Sequence, residues 1–322
     1  MVPVLTTLTV ENYKSIERVR LEFSRINLLI GPNGSGKSSI LEAFGLLAGK
    51  LVPFSDREFE KVVHMHDSTR KIVITGEFRE FPFAKITYEA PPFTKKIEGD
   101  EKEIRKLLHV LTANRQLERT HRGVSRDYPK TPEDAVRLFY YACYRSEFRN
   151  NIRTIRKFYS RYGLNDVRWV PTEDNEYEII ATTEEGIDIN LADAGSGLVA
   201  LFPVIVALAF YPKKSAIFIE HPEMHLHPKI QYELAEFLVD VMKEREYQIV
   251  IETHSEHLLY GLLNKVAEGS LKPQNLTVYS AKKVQGKSIF NKMAVNEDGS
   301  IEGELSDFFE ADLRAFLDWL KV

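Results

Sequence analysis

The segment Gly31-Pro-Asn-Gly-Ser-Gly-Lys-Ser-Ser39 fits the pattern G-x-x-x-x-G-K-[ST]. It follows the apolar run Ile26–Ile30 directly and opens Ser38–Leu47, whose apolar spacing is that of a buried helix. A buried strand, a glycine-rich loop and a helix in that order leave few folds open. Backbone N–H groups of such a loop curl around an anion, and the helix N-terminus adds the positive end of its dipole. Lys37 is placed to neutralise β- and γ-phosphate oxygens, and Ser38 to offer a hydroxyl to Mg²⁺. Asn33, Gly34, Ser35, Gly36, Lys37, Ser38 and Ser39 are therefore the candidate nucleotide-binding residues, with ATP and Mg²⁺ the expected ligands.

Around this loop the pattern is α/β. Leu5–Val10 and Val19–Phe23 read as antiparallel strands before the loop. From Leu191 onward apolar strands alternate with helices: helix Gly197–Phe210, strand Ala216–Ile219, helix Pro228–Glu244, strand Gln248–Ile251 and helix Ser255–Ala267. Strands near Leu276–Tyr279 and Lys287–Val295 and a terminal helix ending at Trp319 complete the chain. The alternation predicts a mostly parallel sheet covered on both faces, with the N-terminal antiparallel strands added. Residues 1–50 and 190–322 are expected to form one split domain, and residues 51–189 an inserted mixed strand and helical subdomain. In the insert, strands are expected near Lys71–Phe78 and Lys85–Tyr88, and helices over Glu101–Leu117, Pro132–Tyr144 and Arg145–Tyr162.

The single cysteine, Cys143, excludes an internal disulfide and argues for a reducing compartment. The N-terminus lacks the basic-then-apolar order of a signal peptide. The longest apolar run, Leu198–Phe210, contains Pro203 and falls short of the ~20 residues of a membrane span. A cytoplasmic location without membrane attachment is the expectation. A net charge of −4 gives no overall attraction to polyanions.

Two further apolar strands end in functional side chains. Ala216-Ile-Phe-Ile is followed by Glu220-His-Pro-Glu223, the place where such a fold needs a carboxylate for Mg²⁺, and Glu220 is the candidate beside Ser38. Ile249–Ile251 runs into Glu252-Thr-His254-Ser and brings His254 to the carboxyl edge of the sheet.

With these residues the chain resembles the ABC-type ATPases of the SMC, RecF and OLD (overcoming lysogenization defect) group, most closely the small OLD-like ATPases. The opening LTVENYKSIE and INLLIGPNGSGKSSILEAF are similar to that group's first strands and Walker A loop. IFIEHPEMHLHP resembles its Walker B and D-loop run, IVIETHSEHLL its switch-histidine strand, and Asp193-Ala-Gly-Ser-Gly-Leu its signature segment. The resemblance implies an ABC/SMC-type head that acts as a head-to-tail homodimer, in which Gly195, Ser196 and Gly197 of one subunit close the ATP site of the other. It also implies an ATPase, with Glu220, His221, Glu223 and His254 as candidate catalytic residues. Relatives act in DNA repair and phage defence, often beside a partner nuclease.

Two departures point to slow turnover. His221 stands where SMC-type ATPases place a catalytic glutamate directly after the Walker B acid, and Val199-Ala200 where many OLD-like signatures have Ser-Gln. A module that binds ATP without turning it over is one alternative. Another is a metal-dependent nuclease using His221, His225, His227 and His254. The ~55 residues after Gly269 are too few for the Toprim nuclease domain of OLD nucleases.

Between Asp100 and Val170 sixteen Lys and Arg face nine Asp and Glu. Arg145, Arg149, Arg153, Lys157 and Arg161 recur every four residues, with Phe148, Ile152, Ile155, Tyr159 and Tyr162 as an apolar seam. Such a row of cations suits a DNA or RNA backbone.

Overall fold

The computed structural model describes residues 4–49, 59, 61–67, 69–79, 83–89, 94–113, 117–124, 127–129, 131–174 and 176–303. The expected terminal helix ending at Trp319 lies outside them. The chain divides into two compact units: residues 1–110, 213–221 and 232–322 in the first, residues 111–212 and 222–231 in the second.

In the first unit, β1 (Leu5–Tyr13), β2 (Ile16–Glu22), β4 (Ile72–Phe78), β5 (Ala84–Glu89) and β6 (Thr94–Glu98) form an antiparallel sheet in the order β2-β1-β4-β5-β6. Alternation along β4, in which Ile72, Ile74 and Phe78 are buried, turns one face inward. A second, seven-stranded sheet contains β3 (Ile26–Ile30), β7 (Leu108–Leu111), β11 (Ala216–Glu220), β12 (Gln248–Glu252), β13 (Leu276–Val284), β14 (Lys287–Val295) and β15 (Ile301–Glu302). Its order is β15-β14-β13-β3-β12-β11-β7. The central strands β13, β3, β12 and β11 are parallel, and β14 and β15 extend the sheet antiparallel. All five residues of β3 are buried, as a two-sided parallel strand requires.

Helix α1 (Lys37–Leu47) touches both sheets, and therefore its apolar residues are not confined to one stripe. Phe44 packs on Phe218 of β11 at 5.6 Å between ring centroids, while Leu8 and Ile74 of the antiparallel sheet belong to the same buried cluster. Gln248, fully buried at the start of β12, joins the sheets by polar means. Its Nε2 donates to the carbonyls of Leu5 and Ser24 at 2.7 and 3.0 Å, and its Oε1 accepts the Leu5 N–H at 2.9 Å. A buried amide with its donors and acceptor engaged fixes register where apolar packing alone would tolerate a slip.

The helix expected over Glu101–Leu117 stops early. Helix α2 spans Glu101–Leu107, and Leu108–Leu111 becomes β7 at the edge of the seven-stranded sheet. Pairing with the sheet overrides the local helical preference of this apolar stretch.

The second unit holds α3 (Pro132–Cys143), α4 (Arg149–Ser160), α5 (Ser196–Phe210) and a three-stranded antiparallel sheet of β8 (Asn165–Pro171), β9 (Tyr177–Thr182) and β10 (Asp188–Asn190). Thr131 starts α3 with a complete capping box: its hydroxyl accepts the Asp134 N–H and the Asp134 side chain accepts its own. Helix α4 begins at Arg149 after the 3₁₀ turn Ser146–Phe148, four residues later than the expected Arg145. Its seam is buried at Ile152, Ile155 and Tyr159, joined by Phe158. Helix α5 is buried nearly all round and packs by Phe202 on Phe139 of α3. Helix α6 (Pro228–Arg245) begins in this unit and continues in the first, and α7 (Glu256–Ala267) starts from a Ser255 side-chain cap. None of the described helices is long and apolar enough to cross a membrane.

Candidate functional site

Gly31 leaves β3 at φ 138°, with its α-carbon against the backbone of β13. A Cβ there would lie 2.1 Å from the Ala281 carbonyl oxygen, so both conformation and space demand glycine. Gly31→Ala is expected to lower the melting temperature by about 5 °C or more, since overpacking and a strained φ each cost roughly 1–3 kcal/mol. A scanning-calorimetry melt matching the parent protein would contradict this close packing.

The loop ends at Gly36, in the left-handed region, and no side chain caps α1 and no acid stands in its first turn. The helix N-terminus is thus left to an anion. Lys37 is 3% exposed, and its Nζ donates to the carbonyls of Gly31 and Pro32 at 2.9 and 3.0 Å. Asn33 and Gly34 are exposed at the tip, and Ser35 and Ser39 are buried. The Ser35 hydroxyl has no hydrogen-bond partner among the described residues.

Sheet order decides what faces the loop. Strand β12 lies between β3 and β11, in register Glu252 with Leu29 on one side and with Glu220 on the other. The exposed Ser38 hydroxyl therefore donates to Glu252 Oε1 at 2.7 Å. Glu252, 1% exposed, was not among the sequence candidates. Its Oε2 has no hydrogen-bond partner among the described residues. Burial pushes this carboxyl above the usual range, and Glu220 adds to the rise. The Ser38 hydrogen bond, His221 and Lys37 act in the opposite direction.

His221 has φ 43°, donates its backbone N–H to the Glu252 carbonyl at 2.8 Å, and brings Nε2 to 3.7 Å from Glu252 Oε1. Its ring stacks on the exposed His254 ring at 4.8 Å and 12°. Glu220, His221 and Glu252 offer ligand atoms within 4.8 Å of one another. The Ser38 hydroxyl and the orphaned Glu252 oxygen are hard donors of the kind Mg²⁺ takes, so the residues present fit that ion.

Lys37, Ser38, Glu220, His221 and His254 thus gather in the first unit. The other candidates, Glu223, Gly195, Ser196 and Gly197, belong to the second. Glu223 is buried and its carbonyl accepts the Leu226 N–H in the turn after β11. Gly195 precedes α5 with φ 87°, and Gly197 packs so closely on the His225 carbonyl that a Cβ would sit 2.5 Å from its oxygen. His225 and His227, both exposed, are not in the metal-competent group; the His227 Nδ1 accepts the Lys229 N–H at the start of α6.

The cationic row is rearranged. Arg145, Arg149, Arg153 and Lys157 line a cleft in the second unit together with Arg156, which the four-residue spacing skips. Arg161 is the C-cap of α4 and does not line it.

A glycine loop between β3 and α1, with carboxylates at the ends of the nearby parallel strands β12 and β11, is the arrangement of a P-loop head of the ABC type. Comparison with known proteins agrees. Residues 4–122 match the family model "AAA ATPase domain", and residues 126–259 match "AAA domain, putative AbiEii toxin, Type IV TA system". The chain is 31% identical over 101 residues to an OLD nuclease of Thermus scotoductus and 28% identical over 81 residues to an ATP/GTP phosphatase of Helicobacter pylori. These alignments cover 30% and 25% of this chain but only 19% and 21% of those proteins. Among solved structures, an Smc head bound to the C-terminal winged-helix domain of ScpA superposes with a TM-score of 0.62 at 14% identity, covering 91% of this chain and 99% of that one. The SMC head domain from Thermotoga maritima gives 0.53 at 16%, covering 89% and 98%. The chain thus has the fold of SMC head domains, carries two matches to AAA-type ATPase domain models, and is similar over part of its length to an OLD nuclease.

Proposed function

We propose that this protein is a slow ATPase whose ATP-bound state is a head-to-tail homodimer. The observation that carries this reading is the convergence of Lys37, Ser38, Glu220 and Glu252 at one end of three adjacent strands. The loop from Asn33 to Ser39 and the uncapped end of α1 bind the phosphates. Ser38, Glu220 and Glu252 are the residues that would hold Mg²⁺. When bound, that ion neutralises charge on the β- and γ-phosphate oxygens. His221 lies beside Glu252 and against His254, and it is the group proposed to take a proton from the attacking water. Imidazole in place of a carboxylate at this position is the reason for expecting slow turnover. A two-fold arrangement would create two equivalent ATP sites, each closed by Gly195, Ser196 and Gly197 of a second copy.

The likeness to an OLD nuclease and the excess of cations between Asp100 and Val170 favour nucleic acid as the partner, with a separate nuclease and a role in repair or phage defence as the setting.

Glu220→Gln tests the switch. It keeps the loop and Lys37 and is expected to retain ATP while losing most phosphate release, and therefore to accumulate the ATP-bound dimer. Light scattering after size exclusion should give the mass of two chains with ATP and Mg²⁺ and of one without. One mass under both conditions, with phosphate release at the parent rate, would remove both Glu220 and the ATP-gated dimer from the proposal.

A further inference from the structure

A cleft of about 710 Å³ lies in the second unit along α4 and the turn before it, apart from the P-loop residues. That volume is in the range of small-molecule and nucleotide sites. Its lining carries Arg145, Arg149, Arg153, Arg156 and Lys157 against a single acid, Asp166. The acid is engaged: it pairs with Arg156 at 3.4 Å and with Arg168 at 3.3 Å. Arg156 is also held by its Nε bond to the Val167 carbonyl at 2.9 Å, and the Arg145 guanidinium lies over the Tyr141 ring at 4.1 Å. Arg149, Arg153 and Lys157 have no ion-pair partner among the described residues. Arg149 opens α4, whose N-terminus no side chain caps, Arg153 follows one turn on, and Lys157 lies in the last turn. Like charges gathered in a concave wall repel one another more than on an open face, because less water screens them. A folded chain that keeps three unmatched cations there has a place for an anion.

The lining also includes an aromatic surface. Tyr144 is 73% exposed although it belongs to an aromatic cluster, meeting Trp169 edge-on at 4.9 Å and 71°. With most of its surface open, the ring can take a flat partner. Unpaired cations and an exposed ring lining one cleft match the two halves of a nucleotide, phosphate and base.

We propose that this cleft binds one nucleotide unit by its phosphate, with the base stacked on Tyr144. The chemistry is a terminal phosphate on a nucleoside, supplied by the end of a nucleic-acid strand or by a free nucleotide. It rests on the nucleic-acid reading above only for the first of these sources. A cleft differs from a flat basic face, which would follow a continuous backbone without regard to ends.

The test uses the full chain carrying Lys37→Ala, which silences the P-loop, and fluorescence anisotropy. The probes are a single strand with a 5′-phosphate, the same strand with a 5′-hydroxyl, a closed circular duplex as competitor, and adenosine 3′,5′-bisphosphate as competitor. The phosphorylated strand is expected to bind roughly tenfold more tightly than the hydroxyl strand, and the bisphosphate to displace it. Arg153→Gln with Lys157→Gln should weaken binding roughly tenfold and remove the preference for the phosphate. Tyr144→Ala should weaken it several-fold. In a chain with Lys37 intact these exposed substitutions should leave ATP turnover without nucleic acid unchanged. Equal binding of both strands, displaced equally by the circle, would overturn the cleft and leave the nucleic-acid reading standing. Binding of a fluorescently labelled bisphosphate, with none of either strand, would uphold the cleft and overturn the nucleic-acid reading. No binding of any probe overturns both.

Discussion

Lys37→Ala is expected to abolish measurable ATP binding while the protein stays folded. The ammonium of Lys37 is drawn into the loop, 3% exposed, where the carbonyls of Gly31 and Pro32 hold it and the nearby Glu252 balances its charge. An incoming triphosphate carries several negative charges to this spot. Without the cation it would meet two carbonyl oxygens and a buried carboxylate, and the helix N-terminus alone would have to offset them. Truncating one partner of a desolvated, hydrogen-bonded charge pair costs about 2–5 kcal/mol, or roughly 30-fold to several thousand-fold in affinity. Isothermal calorimetry with ATP and Mg²⁺ reads the effect directly, and a circular-dichroism melt verifies the fold. Affinity equal to the parent's would mean that the phosphates are not held by Gly31–Ser39.

What the sequence discloses here follows the range of the interaction responsible. Strand β3, α1 and the strands β11 and β12 are visible because short apolar runs and a glycine loop are local signals. The helical reading of residues 101–117 failed at Leu108, where an edge position in a sheet built from distant strands decides the conformation. The small sheet of β8, β9 and β10 was not foreseen either. Its strands are half exposed, and the alternation along β8 is blurred by its bulge.

The same distinction separates the site residues. Lys37 and Ser38 are fixed by motif, whereas Glu252 acquires its place from pairing with β3 on one side and β11 on the other. A signal was present: two apolar five-residue strands, Ala216–Glu220 and Gln248–Glu252, each end in glutamate, and adjacent parallel strands in register bring such ends together. Arg156 was missed for a different reason. A strict four-residue spacing follows one ridge of a helix, but a cleft wall takes in neighbouring ridges as well.

Glu252→Gln is expected to move stability and activity in opposite directions, which sets it apart from an ordinary core substitution. In the metal-free protein the ionised carboxylate is a cost. It is 1% exposed, burial raises its pKa, Glu220 repels it, and only one of its oxygens has a hydrogen-bond partner among the described residues. A raised carboxyl pKa means that the folded chain holds the neutral form more readily than the unfolded chain does. At neutral pH, a side chain that is always neutral therefore stabilises the fold. Glutamine keeps the shape and can still accept the Ser38 hydroxyl hydrogen bond through its amide oxygen. Without Mg²⁺ the variant should melt about 2 °C or more above the parent. With ATP and Mg²⁺ the order reverses. Losing a carboxylate that holds the ion, directly or through Ser38, should weaken Mg²⁺-dependent ATP binding and phosphate release by roughly 10- to 100-fold. Binding of ATP in EDTA, which depends on Lys37 and the loop amides, should change little. If Glu252 only filled space between β3 and β11, the variant would gain stability and keep its turnover. A stabilised Glu252→Gln protein with parental phosphate release would therefore take this residue out of the metal site and leave Glu220 as its carboxylate.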